Sequence, residues 1–250
     1  MFDFLFKKKE PRKLWFNTDI HCHIVPGIDD GSPDAATSAD LVERMQSWGI
    51  ERIIASPHVT QDTFENNPQT IAPAIEKLQQ ELARRGNGIK VTNSAEYRID
   101  ELFTKQLEED VIMPYPGNYI LIENSFMQEP WNLDQLIFDL QVKGYRPVMA
   151  HPERFSYYYE KRNRYKALHD AGALFQINVL SLSGYYGKAE KQVAEWLIDN
   201  NMVDFNGTDL HNHRHADSIE AYLMSKDAAR HADKLAGRVR SEERRVGKEC

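Results

Sequence analysis

Two histidines and three aspartates stand close together near the start of the chain, in the stretch D-I-H-C-H-I-V-P-G-I-D-D-G at residues 19–31. A short strand predicted at residues 17–20 leads into His21 and His23. Residues two apart on a strand project to the same face, so both imidazoles can reach one metal ion. A single H-x-H is weak evidence, and it gains weight here because similar residues recur at comparable places along the chain.

Short β-like runs alternate with helical stretches through the whole chain, and they predict the elements that would position these side chains. The predicted strands cover residues 17–20, 52–56, 89–95, 119–122, 147–150, 174–179 and 203–206, and the predicted helices about 33–48, 68–85, 100–109, 133–142, 159–171, 188–200 and 216–235. Seven β-α units of this kind indicate a parallel sheet with helical crossovers, closed or nearly closed into a barrel.

Six of the seven predicted strands end at a histidine, aspartate or glutamate; the sixth strand ends near Asn178. In α/β barrels function gathers where the carboxyl ends of the strands meet. The convergent groups are His21, His23, Asp30, His58, Glu96, Glu123, His151, Asp209 and His211. Nine nitrogen and oxygen donors are too many for one ion and suit two or three. Without thiolates they fit Mn²⁺, Fe²⁺ or Zn²⁺.

Charge favours a phosphate substrate for such a site. Four carboxylates beside three divalent ions would leave the site positive by about two charges, and the same carboxylates would repel one another without metal. The whole chain carries a formal net charge of −7, which argues against a general nucleic-acid binder and disfavours a nuclease.

The 250 residues suggest one domain at 17–240, with an N-terminal arm at 1–16 and a non-native tail at 241–250. The tail, S-E-E-R-R-V-G-K-E-C, resembles read-through from a cloning adapter. The arm is predicted to be frayed, or to make a weak contact with a membrane surface or a partner.

No apolar run is long enough to span a bilayer. Only Cys22 and Cys250 are cysteines, so no disulfide framework is implied and we expect a cytoplasmic protein.

Six motifs in chain order, D-I-H-C-H, S-P-H, A-E-Y, I-E-N-S, A-H-P-E-R and T-D-L-H, resemble the polymerase-and-histidinol-phosphatase (PHP) superfamily over residues 17–215. H-C-H-I-V-P-G-I-D-D-G and A-H-P-E-R-F are similar to its bacterial protein-tyrosine phosphatase branch, associated with capsule and exopolysaccharide operons. Carboxylates at Asp30 and Glu123, where many superfamily members carry histidine, match that branch. The resemblance implies an α/β fold, a distorted (β/α)7 TIM-like barrel of the PHP type, with three divalent ions, usually manganese.

The resemblance also implies how the ligands divide among the ions. The first ion would take His21, His23, Glu96 and Asp209; the second Glu96, Glu123 and His151; and the third Asp30, His58 and His211. Asp19 and Asp29 would brace the first motif rather than bind metal.

Arg154, in the H-x-E-R motif, would clamp phosphate oxygens through its planar fork, unless it only forms a surface salt bridge with Glu153. Arg214, close behind His211, is the candidate second clamp. His213 and His215 are expected to be solvated loop or helix-start residues, and His169 and His231 to be structural or exposed. The aromatic residues in or near the βα loops are expected mostly to pack, with one or two rings lining a cleft for an aryl group; they are Phe64, Phe126, Trp131 and residues 157–159.

The implied activity is hydrolysis of phosphotyrosine on an autophosphorylated bacterial tyrosine kinase, by direct attack of a metal-bound hydroxide. A cysteine-based route is closed, because Ile28 stands where a C-x5-R loop starting at Cys22 needs arginine. Two alternatives stay open: a small-molecule phosphatase such as a histidinol phosphatase, and a non-catalytic metal-binding regulatory module.

Overall fold

The structure, a computed structural model, describes residues 12–236. The predicted tail at 241–250, and the part of the predicted arm before residue 12 with its expected membrane or partner contact, lie outside the described residues. Within the arm, Leu14 is buried and its N–H donates to the Trp48 carbonyl at 2.8 Å. In the described part of the chain, no helix combines the length and the apolar character that a bilayer crossing requires.

Short parallel strands form the centre of the fold. They are β1 Thr18–Asp19, β2 Arg52–Ala55, β3 His58–Val59, β4 Val91–Asn93, β5 Glu96–Arg98, β6 Tyr119–Glu123, β7 Arg146–Ala150, β8 Leu174–Asn178 and β9 Phe205–Gly207. The strands pair in two sheets, one in the order β1-β2-β4 and one in the order β3-β5-β6-β7-β8-β9. Every pairing within both sheets is parallel.

The predicted strands at 52–56 and 89–95 correspond to β2 and β4, and each is followed by a further short strand, β3 or β5, that was not predicted. Proline has no N–H to give to a ladder, and Pro57 separates β2 from β3. The chain nevertheless continues in the same direction from β2 into β3 and from β4 into β5. Ser94 N donates to the Ala55 carbonyl at 2.9 Å, and Glu96 N donates to the Pro57 carbonyl at 3.0 Å. The two sheets therefore continue each other around one curved wall.

The wall closes where its first and last strands meet. Asp209 N donates to the His21 carbonyl at 2.7 Å, and His23 N donates to the Leu210 carbonyl at 2.9 Å. These bonds surround a parallel bridge between Cys22 and Leu210. With seven strand positions and two of them broken, the architecture is the distorted barrel that the sequence predicts.

Helices cover the outside of the barrel. They are α1 Ala35–Ser47, α2 Pro68–Arg84, α3 Glu101–Glu108, α4 Leu133–Val142, α5 Arg162–Asp170, α6 Val179–Ser183, α7 Lys188–Asp199, α8 His213–Leu223 and α9 Lys226–Leu235. The single helix predicted at 216–235 is two helices, because the Ser225 side chain accepts from Ala228 N and starts α9. The short α6 at the end of β8 was not predicted.

Candidate metal centre

The nine predicted ligands all lie at the end of the barrel formed by the carboxyl ends of the strands. His21, His23 and Asp30 follow β1, whereas His58, Glu96 and Glu123 belong to β3, β5 and β6. His151 follows β7, and Asp209 and His211 follow β9. The structure therefore brings all nine predicted residues together at one end of the barrel.

Glu96 lies at the middle of this cluster and is fully buried. Its Oε2 is 3.2 Å from His21 Nε2, 3.3 Å from His23 Nε2 and 3.1 Å from His58 Nδ1. Its other oxygen, Oε1, is 3.1 Å from His151 Nε2. One carboxylate thus faces four imidazoles from its two oxygens, which is the arrangement of a bridging ligand.

Three further carboxylates extend the cluster around Glu96. Asp209 Oδ1 lies 3.5 Å from His21 Nε2 and 3.6 Å from His23 Nε2. Asp30 Oδ1 lies 3.6 Å from the Nε2 atoms of both His58 and His211. Glu123 Oε1 lies 3.6 Å from His151 Nε2.

Donor atoms within 4.8 Å of one another form four overlapping groups: His23, Asp30, His58 and His211; His21, His23 and Glu96; His21, His151 and Asp209; and His58, Glu96 and Glu123. The first group contains the whole set predicted for the third ion. The second group contains three of the four residues predicted for the first ion. The overlaps show that neighbouring ion positions would share ligands.

Buried polar atoms without hydrogen-bond partners show that this donor set fits metal ions. Such atoms are His21 Nε2, His23 Nε2, His58 Nδ1, His151 Nδ1 and both carboxylate oxygens of Glu96. Leaving a buried polar atom unpaired costs about 1–3 kcal/mol, so natural proteins rarely keep several together. Cations placed among these atoms would satisfy the five that face the centre, since imidazole nitrogen and carboxylate oxygen are donors that Mn²⁺, Fe²⁺ and Zn²⁺ accept.

Outer contacts orient three of the imidazoles. His21 Nδ1 lies 2.7 Å from Gln176 Oε1, and His23 Nδ1 lies 2.8 Å from Asp29 Oδ2. His211 Nδ1 lies 2.9 Å from the Asp209 carbonyl. Each acceptor holds a proton on Nδ1 and leaves the Nε2 lone pair facing the centre.

The two aspartates predicted to brace the first motif do so in the structure. Asp19 is buried, and its carboxylate accepts from His21 N at 3.1 Å and from Thr208 Oγ1 at 2.5 Å. Besides holding His23, Asp29 accepts from His58 N at 3.1 Å. Both carboxylates therefore fix the backbone from which ligand side chains project.

Two ligand positions have strained backbone. His151 has φ of 29° and Asp209 has φ of 53°, in the left-handed region that residues other than glycine rarely adopt. Such strain persists only where surrounding contacts enforce it, and it clusters at functional sites. Gly207 is needed for a related reason, because a Cβ atom there would lie 2.5 Å from His21 Cβ.

Burial and neighbouring charges shift the pKa values across the cluster. Burial, reinforced by the Glu96 carboxylate, raises the pKa of Glu123 to about 8. Burial opposes protonation of His21, but the carboxylates of Glu96 and Asp209 overcome it and raise its pKa to about 9. Burial, aided by the Arg154 charge, lowers the pKa of His151 to about 4. When no cations are bound, protons on Glu123 and His21 therefore reduce the repulsion among the buried carboxylates.

A cleft of about 530 Å³ opens above the cluster. This main cleft is lined by Thr60, Thr63, Phe64, Arg98, Phe126, Arg154, Tyr186, Asn212 and His215, together with Asp30, His58, Glu123, His151, Asp209 and His211. Arg154 donates from Nη1 to Asp209 Oδ2 at 2.9 Å. Its guanidinium carbon lies 4.0 Å from the Tyr186 ring centroid and 4.9 Å from that of Phe126. Glu153 accepts from Asn178 N instead of pairing with Arg154.

The structure does not bring Arg214 into the main cleft: it is exposed in the first turn of α8. His213 is exposed as predicted, whereas the prediction that His215 is solvated was wrong. His215 is buried, lines the main cleft and accepts from His211 N at 3.3 Å. His231 is also buried and contacts the Tyr222 hydroxyl at 2.8 Å, as a structural residue would.

Sequence reasoning missed Arg98 and Tyr186. Arg98 lines the main cleft and donates from Nε to Glu123 Oε2 at 2.9 Å. Its position two residues after Glu96 on the same strand was a usable signal, because both side chains project to one face. Tyr186 donates from its hydroxyl to Asp209 Oδ2 at 2.9 Å, and no spacing in the sequence links those two residues.

Fold and site together define a (β/α) barrel built around a candidate multi-ion centre. Residues 17–235 match the family model described as "Capsular polysaccharide synthesis, CpsB/CapC", and the chain belongs to that family.

Curated relatives include tyrosine-protein phosphatase YwqE of Bacillus subtilis (strain 168), 36% identical over 195 residues that cover 78% of this chain and 77% of that protein. A putative tyrosine-protein phosphatase CapC of Staphylococcus aureus is 28% identical over 195 residues, 78% of this chain and 76% of its own. Among solved structures, one described as YwqE from Bacillus subtilis and CpsB from Streptococcus pneumoniae, "unique metal-dependent tyrosine phosphatases", matches with a TM-score of 0.75. It is 32% identical and covers 89% of this chain and 95% of its own.

Proposed function

We propose that the chain is a metal-dependent protein-tyrosine phosphatase of capsule or exopolysaccharide synthesis. The observation that carries this proposal is the buried cluster around Glu96, with unpaired donor atoms facing a common centre and Arg154 beside it at the floor of an open cleft. The names of the relatives support the substrate class.

Three divalent ions, most simply Mn²⁺, with Fe²⁺ and Zn²⁺ as alternatives, would occupy the centre in this proposal. His21, His23, Glu96 and Asp209 would hold the first; Glu96, Glu123 and His151 the second; and Asp30, His58 and His211 the third. When bound, divalent ions supply Lewis acidity, which makes water more acidic and polarises phosphoryl oxygens.

Arg154 would hold the phosphate through its planar fork. Its bond to Asp209 and its place between two aromatic rings fix the guanidinium before substrate arrives, so little reorganisation is needed during the reaction. The fork carries charge toward the equatorial phosphoryl oxygens, where negative charge accumulates in the transition state. Arg98, held by Glu123, adds a second cation to the same cleft.

Tyrosine suits this site as a leaving group. Phenol has a pKa of about 10, so its oxygen leaves with less proton donation than an alkoxide needs. Phe64 and Phe126 form apolar walls of the main cleft against which a phenyl ring can pack. Cys22 is fully buried, and burial raises the pKa of its thiol well above the usual range, so it offers no thiolate nucleophile.

The proposed partner is a phosphotyrosine-bearing protein, an autophosphorylated bacterial tyrosine kinase, met in the cytoplasm. The test is phosphate release by purified protein that has been stripped with chelator and reloaded with Mn²⁺. A phosphotyrosine peptide and histidinol phosphate are assayed side by side. We expect metal-dependent turnover that strongly favours the peptide. Preference for histidinol phosphate would support a small-molecule phosphatase, and bound metal without turnover of either would support a regulatory module.

A further inference from the structure

A second groove lies beside the main cleft, between helix α3 and the loop at residues 125–132. We call it the acidic groove. On its loop side, Trp131 is 95% exposed and Met127 is 87% exposed. Side chains this large and apolar are costly to leave in water, and tryptophan and methionine are enriched where proteins bind each other. The two exposed side chains therefore mark a surface suited to binding.

The opposite wall gives this surface its charge. Asp100, Glu101 and Glu108 line it together with Lys105, so three carboxylates and one ammonium leave a formal charge of −2. Glu101 and Glu108 are exposed, and neither forms an ion pair within residues 12–236. Unpaired carboxylates along a groove attract basic side chains and disfavour acidic ones.

The acidic groove lies next to the main cleft, and one short segment of chain stands between them. Phe126 lines the main cleft beneath Arg154, whereas its neighbours Ser125 and Met127 line the acidic groove. From the other side, the Asp100 carboxylate accepts from Gln61 N at 2.9 Å and so ties the groove to the segment that carries Thr60 and Thr63. A peptide whose phosphotyrosine sits in the main cleft reaches the groove by crossing residues 125–127.

We propose that the acidic groove binds the residues that flank phosphotyrosine in the protein substrate, and that it selects flanks carrying a basic and a large apolar side chain. This inference rests on the proposed phosphatase function and adds to it the part of the substrate beyond the phosphorylated ring. Exposed Trp131 would cover the apolar side chain, while Glu101 and Glu108 would pair with the basic one.

The experiment compares three phosphotyrosine peptides of equal length with p-nitrophenyl phosphate, a substrate too small to reach the acidic groove. The peptides carry Lys and Leu, Glu and Leu, or Gly and Ser around the phosphotyrosine. The Mn²⁺-loaded wild-type protein is assayed beside Trp131→Ala and the double variant Glu101→Lys/Glu108→Lys. Matched controls are Phe138→Ala, an exposed aromatic of α4 outside the groove, and Glu76→Lys, an exposed carboxylate of α2.

We expect wild-type protein to favour the Lys/Leu peptide. Trp131→Ala should lower kcat/KM for that peptide about 10-fold, mainly through KM, the size of a modest interface anchor. The double charge reversal should move the preference toward the Glu/Leu peptide. Turnover of p-nitrophenyl phosphate should stay within two-fold throughout, and the controls should behave as wild type.

Equal turnover of the three peptides by wild type, or groove variants no different from the controls, would overturn the inference and leave the phosphatase function standing. Equal losses of turnover on the peptides and on p-nitrophenyl phosphate would also overturn it, because the groove substitutions would then disturb the fold rather than the binding of flanking residues. Absence of metal-dependent turnover of every substrate by the wild-type protein is a separate result, and it would overturn the proposed function together with this inference.

Discussion

The guanidinium carbon of Arg154 lies over the Tyr186 ring, 4.0 Å from its centroid, and both side chains donate to the same oxygen of Asp209. Asp209 is thereby joined to the proposed phosphate-binding arginine on one side and to His21 and His23 of the candidate metal centre on the other. The position of the arginine is set by its hydrogen bond to Asp209 and by its contacts with the Tyr186 and Phe126 rings. Substitutions at Arg154 and at Tyr186 can therefore separate the effect of the arginine from the effect of the residue that supports it.

Replacing Arg154 with alanine should lower kcat about 100-fold, because a preorganised donor to the phosphoryl oxygens is lost. Arg154→Lys should recover only part of the activity, since lysine keeps the charge without the planar fork. Metal content, measured by elemental analysis, should match wild type. Metal lost in proportion to activity would instead make Arg154 a structural residue.

The control for that series is Arg84→Ala, an exposed arginine at the end of α2 that does not line the main cleft. Arg214→Ala belongs in the same assay. Its exposed position predicts turnover within two-fold of wild type, and a fall comparable to that of Arg154→Ala would show that Arg214 reaches the cleft when substrate binds.

Tyr186 supports Arg154 with its ring and Asp209 with its hydroxyl. Tyr186→Phe keeps the ring and should reduce kcat/KM only a few-fold, as expected for one lost hydrogen bond of about 1 kcal/mol. Tyr186→Ala removes both contacts and should cost about 10-fold or more. Steady-state kinetics on the phosphotyrosine peptide measure both. Equal effects of the two substitutions would mean that the ring contributes nothing to placing the guanidinium.

Gln176 holds the His21 ring through a 2.7 Å contact at Nδ1. Gln176→Leu removes the acceptor, frees the tautomer of His21 and should weaken metal binding about 10- to 100-fold. Titration of the metal-free protein with Mn²⁺ measures the change. Gln141→Leu, on exposed α4, is the matched control and should bind as wild type. Unchanged affinity in Gln176→Leu would show that His21 is oriented by packing alone.

Removing the metal should destabilise the fold, because buried carboxylates then lose their counter-charges. At a free Mn²⁺ concentration 100 times Kd, binding to the folded state alone contributes about 2.7 kcal/mol. Tm should therefore fall on adding chelator and recover on adding Mn²⁺. Glu96→Gln, which removes the central carboxylate, should show a much smaller difference. If the Tm of wild-type protein did not change on adding chelator, the result would contradict tight metal binding at the centre.

His231 gives a pH dependence away from the site. Burial lowers the pKa of His231, partly offset by the Glu195 carboxylate, so the folded state disfavours its protonated form. The stabilisation that depends on neutral His231 is fully present above the unfolded-state pKa of about 6.5. It is lost as pH falls below that value. We expect wild-type protein to lose more unfolding free energy between pH 7.5 and 5 than His231→Gln does in urea titrations. The site histidines are present in both proteins, so their effect cancels in the comparison. If the unfolding free energies of the two proteins changed in parallel with pH, the predicted effect of His231 would be excluded.

The gathering of the nine predicted residues at one end of the barrel was predictable because a parallel barrel sends the carboxyl ends of all its strands to one place. His58, Glu96 and Asp209 are far apart in sequence, yet their positions at strand ends were sufficient to bring them together. Strand breaks and helix registers were not predictable in this way. Arg214 shows why, since it precedes His215 by one residue and one step on a helix turns a side chain by about 100°. His215 therefore faces the cleft and Arg214 faces solvent. Contacts between distant segments, such as Tyr186 with Asp209, depend on the finished fold.

Closure of the barrel between its first and last strands also sets when the centre can form. Asp19 and Thr208, which share a hydrogen bond across that seam, are 189 residues apart in the chain. A ribosome delivers the N-terminal part first, so His21 and His23 emerge long before Asp209 and His211 exist. No nascent chain or fragment that ends before residue 211 carries the full ligand set. In the proposed arrangement, binding of all three ions would therefore wait until the chain has been synthesised through residue 211, and the ions would join the first and last strands of the barrel.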